Sequence, residues 1–258
     1  MKICILASGS RGNSLFIEAC GRSILIDIGI SMRELNKRAS SVGIDILSVT
    51  DCFITHEHTD HVRGIKTFAK HTSSNIWASK ETLSSNPGVK NTSDLTPNEP
   101  IFVGEVKVTP ISTYHDAVNP LGFVVENESS KVLILTDTGK RPKDLDRYLD
   151  NLDMVVLEAN HNVRMLENGP YPYPLKKRIS SQLGHLCNED SGEILADIVN
   201  RSKNPPACFL AHLSEENNKP QVALLDVANT LKSKGVLPGK DVQLEIASQH
   251  IPSKIVAF

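Results

Sequence analysis

The chain has 258 residues, 40% hydrophobic and 22% charged, with 28 basic against 30 acidic side chains and a formal net charge of −2. That balance excludes disordered, collagen-like and coiled-coil classes and fits a single α/β domain spanning 1–258. No apolar run reaches the ~18 to 20 residues that cross a bilayer, so no membrane partner is expected, and near-neutral charge gives no overall basic field for nucleic acid.

The opening MKICILASGSRGNS breaks at Gly and Ser after a short apolar stretch, unlike a secretory signal. The five cysteines are scattered singly with no CxxC pair, as buried thiols of a reducing compartment would be, so the expected location is cytoplasmic. Strands are predicted at Lys2 to Ala7, Ser14 to Ala19 and Ser23 to Asp27. Ser31 and Glu34 have the spacing of a capping box before a helix that ends at Gly43, and Asp51 to Thr55 reads as the next buried strand. A helix is expected from Asp60 to about His71, a loop from Ser84 to Pro100, then strands at Val106 to Thr109, Gly122 to Glu126 and Lys131 to Thr136.

Pro142 opens a short helix, Met154 to Glu158 is a strand, and Gly169 to Pro174 is a stiff loop leading into Lys176, Lys177 and Arg178. Helices from about Asn188 to Arg201 and Pro220 to Lys234 bracket the strand Ala207 to Ala211, and Val242 to Ala247 is the last strand. SILIDIG (Ser23 to Gly29) and VLILTDTG (Val132 to Gly139) echo one another, each an apolar strand ending in Asp and soon Gly.

Chemistry concentrates at Thr55-His56-Glu57-His58-Thr59-Asp60-His61. Three His at prescribed places in six positions have a chance on the order of one in twenty thousand in a chain this poor in His. Leaving a strand, His56 and His58 point the same way, while Asp60 and His61 at a helix start turn back toward them. Imidazoles and a carboxylate without thiolate suit Zn(II), Mn(II) or Fe(II). Four ligands cannot surround two ions; the further candidates are His115, Asp137 and His212, each where a strand ends.

With an early Asp27, HxHxDH, a lone His115, a lone Asp137 and a late His212, the chain resembles the metallo-β-lactamase superfamily. The resemblance implies a four-layer αβ/βα sandwich with two facing mixed sheets flanked by helices. It implies that His56, His58 and His115 hold one divalent ion and Asp60, His61 and His212 a second, that Asp137 bridges, and that Asp27 orients ligands through hydrogen bonds.

The segments LASGSRGNS, THEHTDH, YHDAVNPLGF, LTDTG, EANHN, MLENGPYPYPLKKRI, GHLCNEDSG and AHLSEENN are similar to those of the YycJ/WalJ-like exonuclease branch, over essentially the whole chain. Thr59 and Cys187 depart from that pattern, both as small residues between functional ones. The implied activity is metal-dependent 5′-to-3′ degradation of DNA by a metal-bridging hydroxide, with Asp60 orienting or deprotonating the water. The segments around Asn160, His161 and His185 are similar to those that place an extra His over the scissile phosphate in tRNase Z enzymes, which makes His185 the expected proton donor. A thiolester or lactone hydrolase, or an RNA-processing nuclease, is the alternative on the same scaffold.

Ser10 and Asn13 in the glycine-rich opening are candidates for phosphate contact, or simply form a tight turn. Asn160 and His161 are candidate substrate contacts, His161 as a rim residue or a partner of His185. Tyr171 and Tyr173 beside Lys176, Lys177 and Arg178 either stack a base and track phosphates or form an ordinary stiff turn. Trp77 is expected in the core, and His71 and His250 outside the site.

Overall fold

The structure is a computed structural model that describes all 258 residues. Its strands form two mixed sheets of seven. The first holds β1 (Lys2–Ala7), β2 (Ser14–Ala19), β3 (Arg22–Ile26), β4 (Asp51–Phe53), β5 (Asn75–Ala78), β6 (Thr92–Asp94) and the chain's last strand β14 (Val256–Ala257), in the order β14-β1-β2-β3-β4-β5-β6. The second holds β7 (Ile101–Val103), β8 (Val106–Ser112), β9 (Leu121–Glu126), β10 (Lys131–Leu135), β11 (Met154–Glu158), β12 (Ala207–Ala211) and β13 (Gln243–Ile246), ordered β13-β12-β11-β10-β9-β8-β7.

Two compact units emerge, one of Met1–Pro110, Ala117–Ser129 and Ala247–Phe258, the other of Ile111–Asp116 and Ser130–Ile246. The first carries helices α1 (Met32–Ser41), α2 (Thr59–Val62), α3 (Ile65–His71) and α4 (Lys80–Ser84). The second carries α5 (Val163–Asn168), α6 (Tyr173–Ile179), α7 (Asn188–Arg201) and α8 (Pro220–Ser233). No helix is long and apolar enough to cross a membrane.

Strands β10, β11 and β12 run parallel and are apolar but for Lys131 at the start of β10 and Glu158 at the end of β11, because a parallel strand covered on both faces has no solvent side to make polar. Strands β3, β4, β5 and β6 are parallel as well, whereas β14, β1, β2 and β3 pair antiparallel, β2 and β3 through the two-residue connection Cys20-Gly21. In the first unit, Leu35 and Ala39 on one stripe of α1 pack with Leu6, Phe16, Leu25, Ile46 and Phe68 in one core. The α1 start has the expected cap, Ser31 Oγ accepting from Glu34 N at 3.3 Å. Trp77 is half-buried, stacked on Phe53 at 5.8 Å, with Nε1 donating to Asp51.

Beyond β7, α4, α5 and β14, which the sequence reading does not include, three segments take a different form from the one expected. The helix expected over 60–71 is broken into α2 and α3, because Gly64 N donates to Ile28 O at 2.8 Å and the backbones approach too closely for a side chain. The loop expected over 84–100 contains the short edge strand β6. The Pro-Tyr segment is not loop to its end: α6 starts at Tyr173, since Pro174 within the first turn gives up only an N–H that has no helical partner.

Candidate metal centre

Groups at the carboxyl ends of parallel strands converge, because each such strand delivers its next residue to the same edge. In the first unit, Asp27 follows β3, and Thr55 and His56 follow β4. In the second, the register Leu135, Leu157 and Leu210 brings Asp137, Glu158 and His212 to one edge of β10, β11 and β12. Asp27, Asp137 and His212 share a left-handed backbone, with φ of 61°, 56° and 54°. Asp and His are among the few non-glycine residues that adopt that conformation readily. The paired Asp-Gly echo in the sequence is thus a repeated backbone device that turns a carboxylate inward at the end of a strand.

In the first unit Asp27 is the hub. Its Oδ1 accepts from Thr55 N at 2.8 Å, and its Oδ2 lies 2.7 Å from His61 Nδ1 and 2.9 Å from Thr55 Oγ1. An Nδ1–H held by a carboxylate leaves the lone pair of His61 on Nε2, where the Asn13 amide donates to it at 3.0 Å. The rings of His56, His58 and His61 cluster, with centroid distances from His56 of 4.6 and 4.1 Å. Asp60 Oδ2 lies 3.5 Å from His61 Nε2. Asn13 ties this cluster to the opening loop: its N donates to Asp60 O at 2.8 Å, and its Oδ1 accepts from Gly9 N.

Gly29 is the tightest point of this arrangement, where an added Cβ would lie 1.6 Å from Asp60 O and 2.4 Å from Asn13 N. Gly29→Ala must therefore push the loop bearing Asn13 away from the start of α2. We expect it to lower unfolding free energy by about 3 kcal/mol, the upper range for overpacking, because backbone rather than a side chain must yield. Thermal unfolding followed by circular dichroism checks this, and an unchanged melting temperature would contradict the close approach.

In the second unit Glu158, fully buried at the end of β11, takes the hub position. Its Oε1 accepts from His185 Nδ1 at 2.7 Å and His212 Nδ1 at 3.2 Å; its Oε2 accepts from Thr138 N at 3.0 Å and Leu186 N at 3.2 Å. Burial alone would raise its pKa, but the charge of His185 and the hydrogen bonds from both imidazoles outweigh burial and hold it at about 2. His115 Nδ1 is paired with Gly184 O at 2.9 Å, which again leaves Nε2 outward. Burial, partly opposed by Asp137, pushes the pKa of His115 down and favours the neutral, ligating form. Asp137 Oδ1 lies 3.5 Å from His212 Nε2, 3.6 Å from His185 Nδ1 and 3.8 Å from His115 Nε2.

Sequence reasoning did not single out Glu158. Its signal was present: a carboxylate closing the otherwise apolar run Met154 to Leu157 has no solvent to face and must have partners. Of the residues read as substrate contacts, Ser10 is exposed on the opening loop and Asn13 is buried on the cluster. The Asn160 amide donates to His212 O at 2.9 Å and so braces the left-handed turn at that residue. His161 is buried, its Nδ1 without a hydrogen-bond partner, and burial pushes its pKa down to about 4. Cys187 caps α7, with its pKa pushed up to about 12 by burial, so it is no nucleophile. His71 and His250 are exposed.

The donor set fits a divalent ion of borderline softness. It offers neutral imidazole Nε2 atoms whose Nδ1–H groups are held by carboxylate or carbonyl, and buried carboxylates, with no thiolate. In the second unit one atom capable of ligation from each of Asp137, Glu158, His185 and His212 lies within 4.8 Å of the others. A family model of the beta-lactamase superfamily domain matches residues 22–205. The chain belongs to the metallo-β-lactamase superfamily of hydrolases.

Within that superfamily it falls in the YycJ/WalJ-like branch. It is 30% identical over 97% of both chains to a protein named exodeoxyribonuclease YycJ from Bacillus anthracis. It is 31% identical, over 94% of this chain and 93% of the relative, to one named exodeoxyribonuclease WalJ from Streptococcus pneumoniae serotype 2 strain D39. The metallo-β-lactamase-fold protein YhfI of Bacillus subtilis superposes with a TM-score of 0.74 over 98% of both chains at 13% identity, a likeness of fold. Two mixed seven-stranded sheets flanked by helices are the architecture that the superfamily motif implied.

Proposed function

We propose that this chain is a binuclear metal-dependent phosphodiesterase that degrades DNA from the 5′ end in the cytoplasm. The observation that carries the reading is the pairing of Glu158 with His185 beside Asp137, supported by relatives named exodeoxyribonuclease along nearly the whole chain. His56, His58 and His115 would hold one ion, Asp60, His61 and His212 the other, and Asp137 would bridge. Two divalent ions, Zn or Mn with Fe as a further option, supply when bound an acidified water and charge neutralisation for phosphate oxygens.

The chain's own residues do the rest. Asp27 and Glu158 fix the tautomers of His61 and His212 so that each presents Nε2. Asp60 orients the attacking water and takes its proton. His185 is the least buried imidazole among those around Asp137, with Nδ1–H held by Glu158; as the imidazolium it carries a second N–H at Nε2, which donates a proton to the departing alkoxide. Ser10 and Asn13 approach the substrate from the opening loop. All five cysteines are unpaired by disulfides, as a reducing compartment requires.

The test is purified protein loaded with Mn(II) or Zn(II) and offered 5′-phosphorylated duplex DNA, single-stranded DNA, RNA and a thiolester, with His58→Ala as the metal-poor control. Mononucleotides should appear from the 5′ end of DNA. His185→Ala should keep its metal and turn over about 10² to 10⁴ times more slowly. Thiolester hydrolysis with inert DNA would overturn the reading.

A further inference from the structure

A groove of about 330 Å³ opens in the second unit, lined by residues of α5, α6 and its C-terminal cap, and the segment that follows β11. His161, Val163, Leu166 and Tyr173 line it. Lys176, Lys177 and Glu167 also line it. Tyr173 is 70% exposed and Val163 39%, which leaves a flat aromatic face and an aliphatic wall open to solvent. Lys177 Nζ hovers 5.6 Å from the Tyr173 ring centroid, and Lys176 Nζ is anchored on Glu167 O at 2.8 Å. An aromatic platform beside cations is the chemistry that binds a base by its π-face and its phosphate by charge.

The groove is mechanically joined to the catalytic segment. Helix α6, whose first residue is Tyr173, ends at Ile179, and Ile179 O accepts from His185 N at 3.0 Å. The join is close enough that a Cβ on Gly184 would lie 2.1 Å from Ile179 O. Tyr173 and Ile179 are about 9 Å apart along the helix at 1.5 Å per residue, within reach of a nucleotide near the one being cleaved. His161 lies three residues beyond Glu158 on the same strand exit. Its buried Nδ1 has no partner in the protein, a state that folded proteins rarely leave without a reason.

We propose that this groove receives one unstacked base of single-stranded DNA, stacked on Tyr173 beside Val163 and His161, with Lys176 and Lys177 holding the adjoining phosphates. The inference rests on the nuclease reading for the location of the cleaved bond, but its binding test does not depend on cleavage. The low pKa of His161 keeps the ring neutral at physiological pH, suited to a neutral base and not to pairing with a phosphate. Glu167 at the rim accepts from base N–H groups and disfavours a phosphate within the groove itself.

The experiment is fluorescence anisotropy in EDTA with a labelled dT octamer and a base-free deoxyribose-phosphate octamer of equal charge. The full chain should bind the dT octamer about tenfold more tightly than the base-free strand. Tyr173→Ala should bind the two equally, with the base-free affinity unchanged. Lys176→Ala with Lys177→Ala should weaken both and flatten the salt dependence. Equal binding of both strands by the unaltered protein, or a preference for bases that survives Tyr173→Ala, would overturn the groove. DNA cleavage by the same preparations, measured separately with metal, reports on the hydrolytic reading alone.

Discussion

Asp137→Asn is expected to lose bound metal and to lower turnover by about 10² to 10³ or more while leaving the fold intact. The substitution removes only the charge. Asn has nearly the same volume and adopts the left-handed backbone as readily as Asp, so the φ of 56° at this position adds no strain. What changes is the field within the cluster: Asp137 Oδ1 sits 3.5 to 3.8 Å from ring nitrogens of His212, His185 and His115. A buried carboxylate at that spot is the anionic group common to all three imidazoles, and an amide supplies neither its charge nor its second lone-pair-bearing oxygen. Elemental analysis after dialysis, beside the rate on DNA and the melting temperature, separates the outcomes. Full metal content and full rate would remove Asp137 from the centre; loss of fold would show that its role is structural.

The metal motif was legible because its chemistry is local. His56, His58, Asp60 and His61 lie within six positions, and a strand followed by a helix start suffices to gather them. Asp27, His115, Asp137 and His212 could be named from the family order, and three of the four share a left-handed backbone just after a strand. That conformation leaves a trace in sequence only where glycine follows, as in the two Asp-containing echoes, and leaves none at His212. Glu158 escaped notice for the converse reason. A carboxylate at the end of an apolar strand looks like the strand's polar boundary, and only the three-dimensional closure of Thr138, His185, Leu186 and His212 around it reveals a buried hub.

The helix boundaries show the same limit. Periodicity from Asp60 to His71 argues for one helix, and nothing local announces that Gly64 must donate to Ile28 from across the sheet edge. In the Pro-Tyr segment the turn signals of Gly169, Pro170 and Pro172 are real, and the chain does turn there. Tyr173 then begins a helix because Pro174 is compatible with a first turn, and this places Tyr173, Lys176 and Lys177 on the groove instead of along an extended loop.

Glu158→Gln should show the largest loss of stability among changes in the second unit. The carboxylate accepts four hydrogen bonds from four donors: two imidazole Nδ1–H groups on one oxygen and two backbone N–H groups on the other. Glutamine has one accepting oxygen, so in either orientation its NH₂ faces two donors and leaves both unsatisfied. Each buried bond to a charged acceptor is worth about 1.5 to 3 kcal/mol, and the loss of two puts the penalty on the order of 3 to 6 kcal/mol. For a chain of this length that corresponds to a melting temperature roughly 10 °C lower, measured in EDTA so that metal does not contribute. Metal affinity should fall about 10- to 100-fold as well, because the Nδ1–H of His212 loses the partner that keeps Nε2 aimed outward. His185→Ala removes one of the four donors and should lower the melting temperature by about half as much. If Glu158→Gln melts with the unaltered protein and takes up metal as tightly, the hydrogen bonds drawn to this carboxylate are not what positions the imidazoles.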